Sequence, residues 1–429
     1  MFHVYAAEIH RSTRGALTAV LAVGLMALWP ATGHANVAVD WNRVMLKLEP
    51  TSRLIMHTRA APLMHVSMHD AINSIPGSRR YATYLPRLPA SPNTSPKAAA
   101  TAAAHWIARQ YTQTFHPENA ALLAEIEALY ASSLAPIPNG PAKTAGIQLG
   151  EAAAARLWAA RANDGWNNPD NIQFIFPTPA PGVWRQVPPW PSDLVPPFHW
   201  WDHVTPWVMT SASQFMSPPP PRITSRKFRR DIAETRAYGD LLSTVRTENQ
   251  SHAARWWGVC QESNAGAASL IASQLILVND VGLYESVRIF SLVTLTVADA
   301  MISNIENKNH WNFWRPITVI RESGDPSWTP YLNTPPNQEY PAGHPMGSGG
   351  GLYIVEKFFP GRFRQPLHVE SQGCGTRTYS RVSDAIQEVI NARIWGGMHF
   401  RHSGEVGAAV GKQIAHWVYT HSLRPLPGH

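Results

Sequence analysis

The sequence predicts an all-α protein of packed helical bundles, and three observations lead there. Segments of helical length with apolar residues every three to four positions fill most of the chain, strand-like alternation is scarce, and Ser95-Pro96 stands where a helix should begin. Serine suits an N-cap because its hydroxyl accepts an orphan backbone N–H, and proline suits the first turn, so an alanine-rich helix is expected from Ala98 to Tyr111. Helical patterns follow over 119–133, 142–162, 227–247, 265–278 and 283–306, then over 346–358, 382–394 and 404–421. His65 and His69 lie on an earlier predicted helix.

Three parts are expected. Residues 1–35 hold Arg11 and Arg14, an apolar run from Ala16 to Ala31 and the small-x-small exit Gly33-His34-Ala35, which is the pattern of a secretory signal peptide. No other stretch is read as long and apolar enough to span a bilayer, so export to the periplasm or the exterior is expected, with no membrane insertion after cleavage. Residues 36–226 form an N-terminal helical part ending in a loop region rich in proline and tryptophan, and 227–429 form a C-terminal bundle. Within the loop region, Pro188-Pro189, Pro196-Pro197 and Pro218 to Pro221 alternate with Trp184, Trp190, Trp200, Trp201 and Trp207. Such a segment is stiff and needs no ladder of hydrogen bonds, so it reads as a strap between the parts, with a channel wall as the functional alternative.

The formal net charge is +7, one unit of which belongs to the first 35 residues, where two arginines face Glu8. No dense basic run is present, so the excess favours small anions over a nucleic-acid track. Cys260 and Cys374 are the two cysteines; their spacing is not that of a metal site, and pairing is open.

Three stretches carry the chemistry: Lys308 with Arg315-Pro316, then Pro341-Ala342-Gly343-His344, then Arg393 with His399. A tetrahedral oxyanion leaves water only where several cationic donors replace its hydration; guanidinium forks fit its oxygens in pairs and a lysine acts as a point charge. Lys308 and Arg315, seven apart, fall on one face of a continuous helix. The turn before His344 is followed by Gly347, Gly349, Gly350 and Gly351, so main-chain N–H groups, Gly343 first, can approach an anion at a helix start. Arg393 to His399 reads as the end of an apolar helix loosened at Gly396 and Gly397.

The pattern Lys308-x6-Arg315-Pro316, Pro341-Ala342-Gly343-His344 and Arg393-x5-His399 resembles the vanadium-dependent haloperoxidases and the type 2 phosphatidic acid phosphatases that share their site, most closely the soluble bacterial haloperoxidase-like proteins. Looser similarity covers Trp41-Asn42, 62–73, 181–185 and Asn312 to Pro316. The resemblance implies packed helical bundles of the haloperoxidase and acid phosphatase type. It implies vanadate as cofactor, with phosphate as a competing or alternative ligand, and hydrogen peroxide with a halide, or a phosphate ester, as reactants. Lys308, Arg315, Arg393 and the Gly343 N–H would bind the oxyanion, and His399 would bond to vanadium. His344 would be the acid/base, with Lys308 polarising the bound peroxide. In the phosphatase version His399 is the nucleophile and His344 protonates the departing alkoxide. A third possibility is an oxyanion-binding protein without catalysis.

Three positions depart from the family pattern. Ala342 and Ala392 stand where serines are usual, and Ser403 stands where a carboxylate could orient His399, for which Glu405 is the sequence-level substitute. Trp311, Trp314 and Trp395 flank the motifs and are candidates for the halide approach, core packing being their commoner fate. His65 and His69 beside Asp70 have the spacing of paired metal ligands, but Val66 replaces the glutamate of a zinc-protease motif and core histidines are the preferred reading. His416, His421 and His429 read as surface.

Overall fold

A computed structural model describes residues 36–49, 54–167 and 172–428; the expected signal segment and His429 lie outside the described residues. The helices are α1 (Val37–Met45), α2 (Leu54–Asn73), α3 (Pro96–Phe115), α4 (Ala120–Leu134), α5 (Pro141–Ala160), α6 (Arg226–Gly239), α7 (Glu248–Gly258), α8 (Gln261–Val278), α9 (Leu283–Trp311), α10 (Pro316–Glu322), α11 (Gly343–Phe358), α12 (Val382–Trp395) and α13 (Arg401–His421). One antiparallel hairpin, β1 (Leu367–Ser371) with β2 (Gly375–Tyr379), pairs Leu367 with Tyr379. The all-α expectation holds.

Helix starts follow local chemistry. Ser95 Oγ accepts from the Ala98 N–H and Pro96 occupies the first turn, as expected for α3. Asn119 caps α4 by accepting from the Leu122 N–H. The helix expected over 227–247 ends early, and the next begins only at Glu248. α6 stops at Gly239, and Thr247 opens α7 with a capping box in which Gln250 answers its N-cap backbone. The break lets the chain bond elsewhere: the Leu241 N–H donates to Thr329 O and the Tyr331 N–H to Gly239 O.

Packing centres on α9, which touches α2 on one side and α11 and α13 on the other. It is also long and apolar enough to cross a membrane, which corrects the expectation that only the N-terminal run is; 89% of its most apolar window is buried inside the protein. α3 packs most closely on α5, and their alanine-rich surfaces permit it. On the other side α13 lies against α11 at Gly411, where an added Cβ would sit 2.2 Å from Met346 O, so only glycine allows this approach. The proline-rich strap anchors itself through Trp184, Trp201 and Trp207, all buried. Cys260 and Cys374 form a disulfide, Cα atoms 6.1 Å apart, joining the α7–α8 junction to the hairpin.

His65 and His69 are fully buried, His65 stacked on Phe290 and His69 beside Tyr81. Among the described residues no cluster of three or more His, Cys, Asp or Glu could hold a metal ion. His416 and His421 are exposed.

Candidate functional site

Each candidate side chain sits at or beside the end of a helix. Lys308 is in the last turn of α9, which stops at Trp311 because Asn312 turns left-handed (φ 50°) and donates its N–H to Lys308 O. Arg315 is therefore not on the same helix face as Lys308. It precedes Pro316, which disfavours helical backbone at Arg315 and makes it the extended N-cap of α10. Gly343 is the first residue of α11, His344 the second. Arg393 lies in the last turn of α12; Gly397 then takes φ +77° against Gly239 O, and the Met398 and His399 N–H groups fold back onto Arg393 O.

The neighbours of these residues tie the segments together. Phe313, Trp314, Tyr340 and Phe400 share one buried aromatic cluster with Phe228. Ring centroids lie 5.6 Å apart for Phe228 and Phe313, 5.1 Å for Phe228 and Phe400, and 6.3 Å for Phe313 and Tyr340. Backbone bonds run between the same segments: Glu339 N–H to Phe313 O, and Ala342 N–H to Ser403 O. Edge-on aromatic packing is directional, so the cluster fixes the segments' mutual geometry.

Lys308, Arg315, Gly343, His344, Arg393 and His399 all line one cavity of about 310 Å³. Lys308 Nζ donates to Gln338 O and Glu339 O. Arg315 donates from Nε to Asn337 O (2.8 Å), from Nη1 to Met398 O (2.9 Å) and from Nη1 to His399 Nε2 (3.0 Å). His399 Nδ1 donates to Glu339 Oε1 at 2.9 Å, and the Phe400 N–H donates to the same oxygen at 3.0 Å. This network assigns the tautomer: the proton is on Nδ1, and the Nε2 lone pair faces the cations and the cavity.

The electrostatics are those of an anion receptor. Burial holds Lys308 well below its ordinary value, helped by Arg315 and Arg393. Burial lowers Arg315 to about 10, and burial with Arg315 lowers Arg393 to about 9. His344 and His399 are also held well below 6.5, by burial and then by the neighbouring cations. Glu339 is pushed up to about 7 by burial, against the pull of Arg315. Nε and Nη1 of Arg393 are buried without a hydrogen-bond partner among the described residues. Ala342, the N-cap of α11, has no side-chain acceptor, so among the described residues no N-cap bond takes up the N–H at the Gly343 end of the helix. Buried cations and orphan donors around one cavity fit a tetrahedral oxyanion.

Residues 288–428 match the family model described as the VCPO second helical-bundle domain. Vanadium chloroperoxidase of Curvularia inaequalis is 24% identical over 419 residues, spanning 78% of this chain and 67% of that protein. A bacterial vanadium-dependent iodoperoxidase has a similar structure, with a TM-score of 0.75 at 20% identity over 91% of this chain and 96% of the other. The holo form of a bacterial vanadium-dependent chloroperoxidase gives 0.66 at 18% identity, over 86% and 92%. Residues 288–428 thus match that helical-bundle domain, and over most of its length the chain shares the fold of the solved vanadium haloperoxidases.

Within that fold, two residues of the site escape the motifs, one behind His399 and one in the cavity wall. Glu339, fully buried, is the carboxylate that orients His399; Glu405, the sequence-level substitute, is exposed. The available signal was position, for Glu339 is the acidic residue nearest the Tyr340-Pro341 turn. Asn304 donates from Nδ2 to Pro341 O and lines the cavity one turn before Lys308, so helical spacing from Lys308 points to it. Ser403 Oγ reaches Glu339 O at 3.4 Å. The three flanking tryptophans do not line the cavity: Trp314 is in the aromatic cluster, Trp311 packs against it, and Trp395 packs against the main core. The wall on that side comes from Ile55, Val297, Met301 and Ile305, with Pro197 and Phe198 of the strap, so the strap also borders the channel.

Proposed function

We propose that this chain is an exported vanadate-dependent haloperoxidase, which oxidises a halide to hypohalous acid while hydrogen peroxide is reduced to water with uptake of a proton. The observation that carries it is the convergence of Lys308, Arg315, Gly343, His344, Arg393 and His399 on one cavity. Vanadate bound there supplies a Lewis acid that activates peroxide without itself changing oxidation state. The chain's own tasks are then positional and electrostatic. Lys308, Arg315, Arg393 and the Gly343 N–H hold the oxyanion's charge, and His399 presents Nε2 as the ligand atom because Glu339 keeps the proton on Nδ1. His344, kept neutral by burial among cations, is available to accept and return a proton. Lys308, the point charge of the set, polarises the bound oxidant. Phosphate competes for the same donors.

Export is supported by the segment over 1–35 and by the Cys260–Cys374 disulfide, a bond that persists in oxidising compartments. One purified sample, assayed with and without vanadate for bromide oxidation and for phosphomonoester cleavage, decides the reaction. Hypobromite formation requiring both peroxide and vanadate is expected. Ester cleavage without peroxide, inhibited by vanadate and leaving a phosphohistidine at His399, would replace this reading with the phosphatase one.

A further inference from the structure

Met301 lies on α9, about two turns before Lys308, and lines the cavity beside Asn304. Its thioether runs along the first turns of α11. A Cβ built on Gly343 would lie 3.6 Å from Met301 Cε, and one built on Gly347 would lie 3.1 Å from Sδ. Gly343 and Gly347 line the same cavity, and the missing side chain at Gly347 makes room for the sulfur. Because the Gly343 N–H is one of the oxyanion donors, the end of Met301 stands next to the place where the oxidant is held. Among the described residues every methionine is buried except Met216 and Met301, and Met216 does not line the cavity.

A thioether sulfur is soft and polarisable, and it is among the side chains most readily oxidised. The cavity lining includes no cysteine, tryptophan or tyrosine among the described residues. Its amine and its liganding imidazole are engaged: Lys308 Nζ donates to two main-chain carbonyls, and His399 is held between Glu339 and Arg315. Met301 is therefore the softest nucleophile that an oxidant formed there meets. We propose that Met301 is an oxidative modification site, at which hypohalous acid converts the thioether to the sulfoxide before leaving the cavity and so sets the working life of the enzyme. This rests on the haloperoxidase reading, which supplies the oxidant. In net form a sulfur–oxygen bond forms as the oxygen–bromine bond of hypobromous acid breaks; sulfur is oxidised by two electrons, bromine takes them and departs as bromide, and the hydroxyl proton goes to water. The sulfoxide is larger and polar, in a wall otherwise made of Ile55, Val297 and Ile305, so the apolar half of the cavity narrows and turnover falls.

The test lets the vanadate-loaded protein turn over bromide and peroxide with excess taurine to trap hypobromite in solution, and follows peptide masses as the rate declines. A gain of one oxygen is expected at Met301 about tenfold faster than at Met216, because the oxidant is made beside the first and trapped before it reaches the second. It should require both vanadate and bromide. Met301→Leu conserves volume and cannot be oxidised, so this variant should hold its own starting rate through several-fold more turnovers than the parent. Oxidation of Met301 no faster than Met216, oxidation without bromide, or a Met301→Leu rate that decays as quickly as the parent's would overturn the proposal. Bromide oxidation that leaves Met301 intact would also overturn it while leaving the haloperoxidase reading in place. Absence of bromide oxidation with vanadate bound would remove that reading and this proposal together.

Discussion

Replacing Arg393 with methionine should make the anion-free protein more stable and the oxyanion site weaker. Burial and Arg315 lower Arg393 from 12.5 to about 9, while its only hydrogen bond among the described residues goes to a thioether sulfur. At about 1.4 kcal/mol for each pKa unit, the folded protein carries on the order of 5 kcal/mol of unfavourable charge burial at neutral pH. Methionine is apolar, flexible and of similar length, so it removes that cost and leaves no strong partner behind. A gain of roughly 2–4 kcal/mol survives after some is surrendered to imperfect packing. The same change deletes charge-assisted bonds to the oxyanion, each worth about 1.5–3 kcal/mol, so vanadate should bind about 10–150-fold more weakly. Urea denaturation in phosphate-free buffer reads the first effect and calorimetric titration with vanadate the second. If Arg393→Met were less stable than the parent without any anion, the guanidinium would have a compensating partner and the frustrated-cation account would be wrong.

Glu339→Ala strips the acceptor from His399 Nδ1 and the Phe400 N–H; vanadate-dependent bromide oxidation should fall about 10–100-fold, with Glu339→Gln retaining part of it. The Cys260–Cys374 bond closes a separation of 114 residues; in the chain-entropy picture its loss should cost about 4–5 kcal/mol, read by denaturation of Cys260→Ser with Cys374→Ser against the parent. His57 and His65 are fully buried, and burial depresses them from 6.5 to about 4 and about 3. Depressed folded-state values mean that the stability they permit is complete above pH 6.5 and is lost as pH falls through about 4 and then about 3. His57→Gln should flatten that acid limb by about 3 kcal/mol, measured as melting temperature against pH.

Much of this was legible because periodicity and caps are local. Ser95-Pro96 marked α3 and Asn119 preceded α4, and both helices start there. The oxyanion set was legible because cationic donors and an imidazole have few other reasons to recur in that order. What failed were inferences needing three dimensions. Lys308 and Arg315 looked like one helix face, yet Asn312 and Pro316 break the helix between them and the chain's return brings them together. The helix expected across 240–247 gave way to backbone bonds with 329–331, which no local propensity encodes. Glu339 was hidden because its partner is 60 residues away, and a carboxylate in a turn reads as solvated until its burial is known.

The division of labour between helix ends and strap bears on how such a protein can diversify. The charged groups are fixed by α9, α11, α12 and an aromatic cluster, whereas Pro197 and Phe198 reach the cavity's rim from a segment with few regular elements. Insertions or substitutions in that segment can redraw what enters without disturbing the parts that keep the chain folded or its charges gathered. A lineage, or an engineer, therefore has an editable doorway mounted on a frame that tolerates almost no revision.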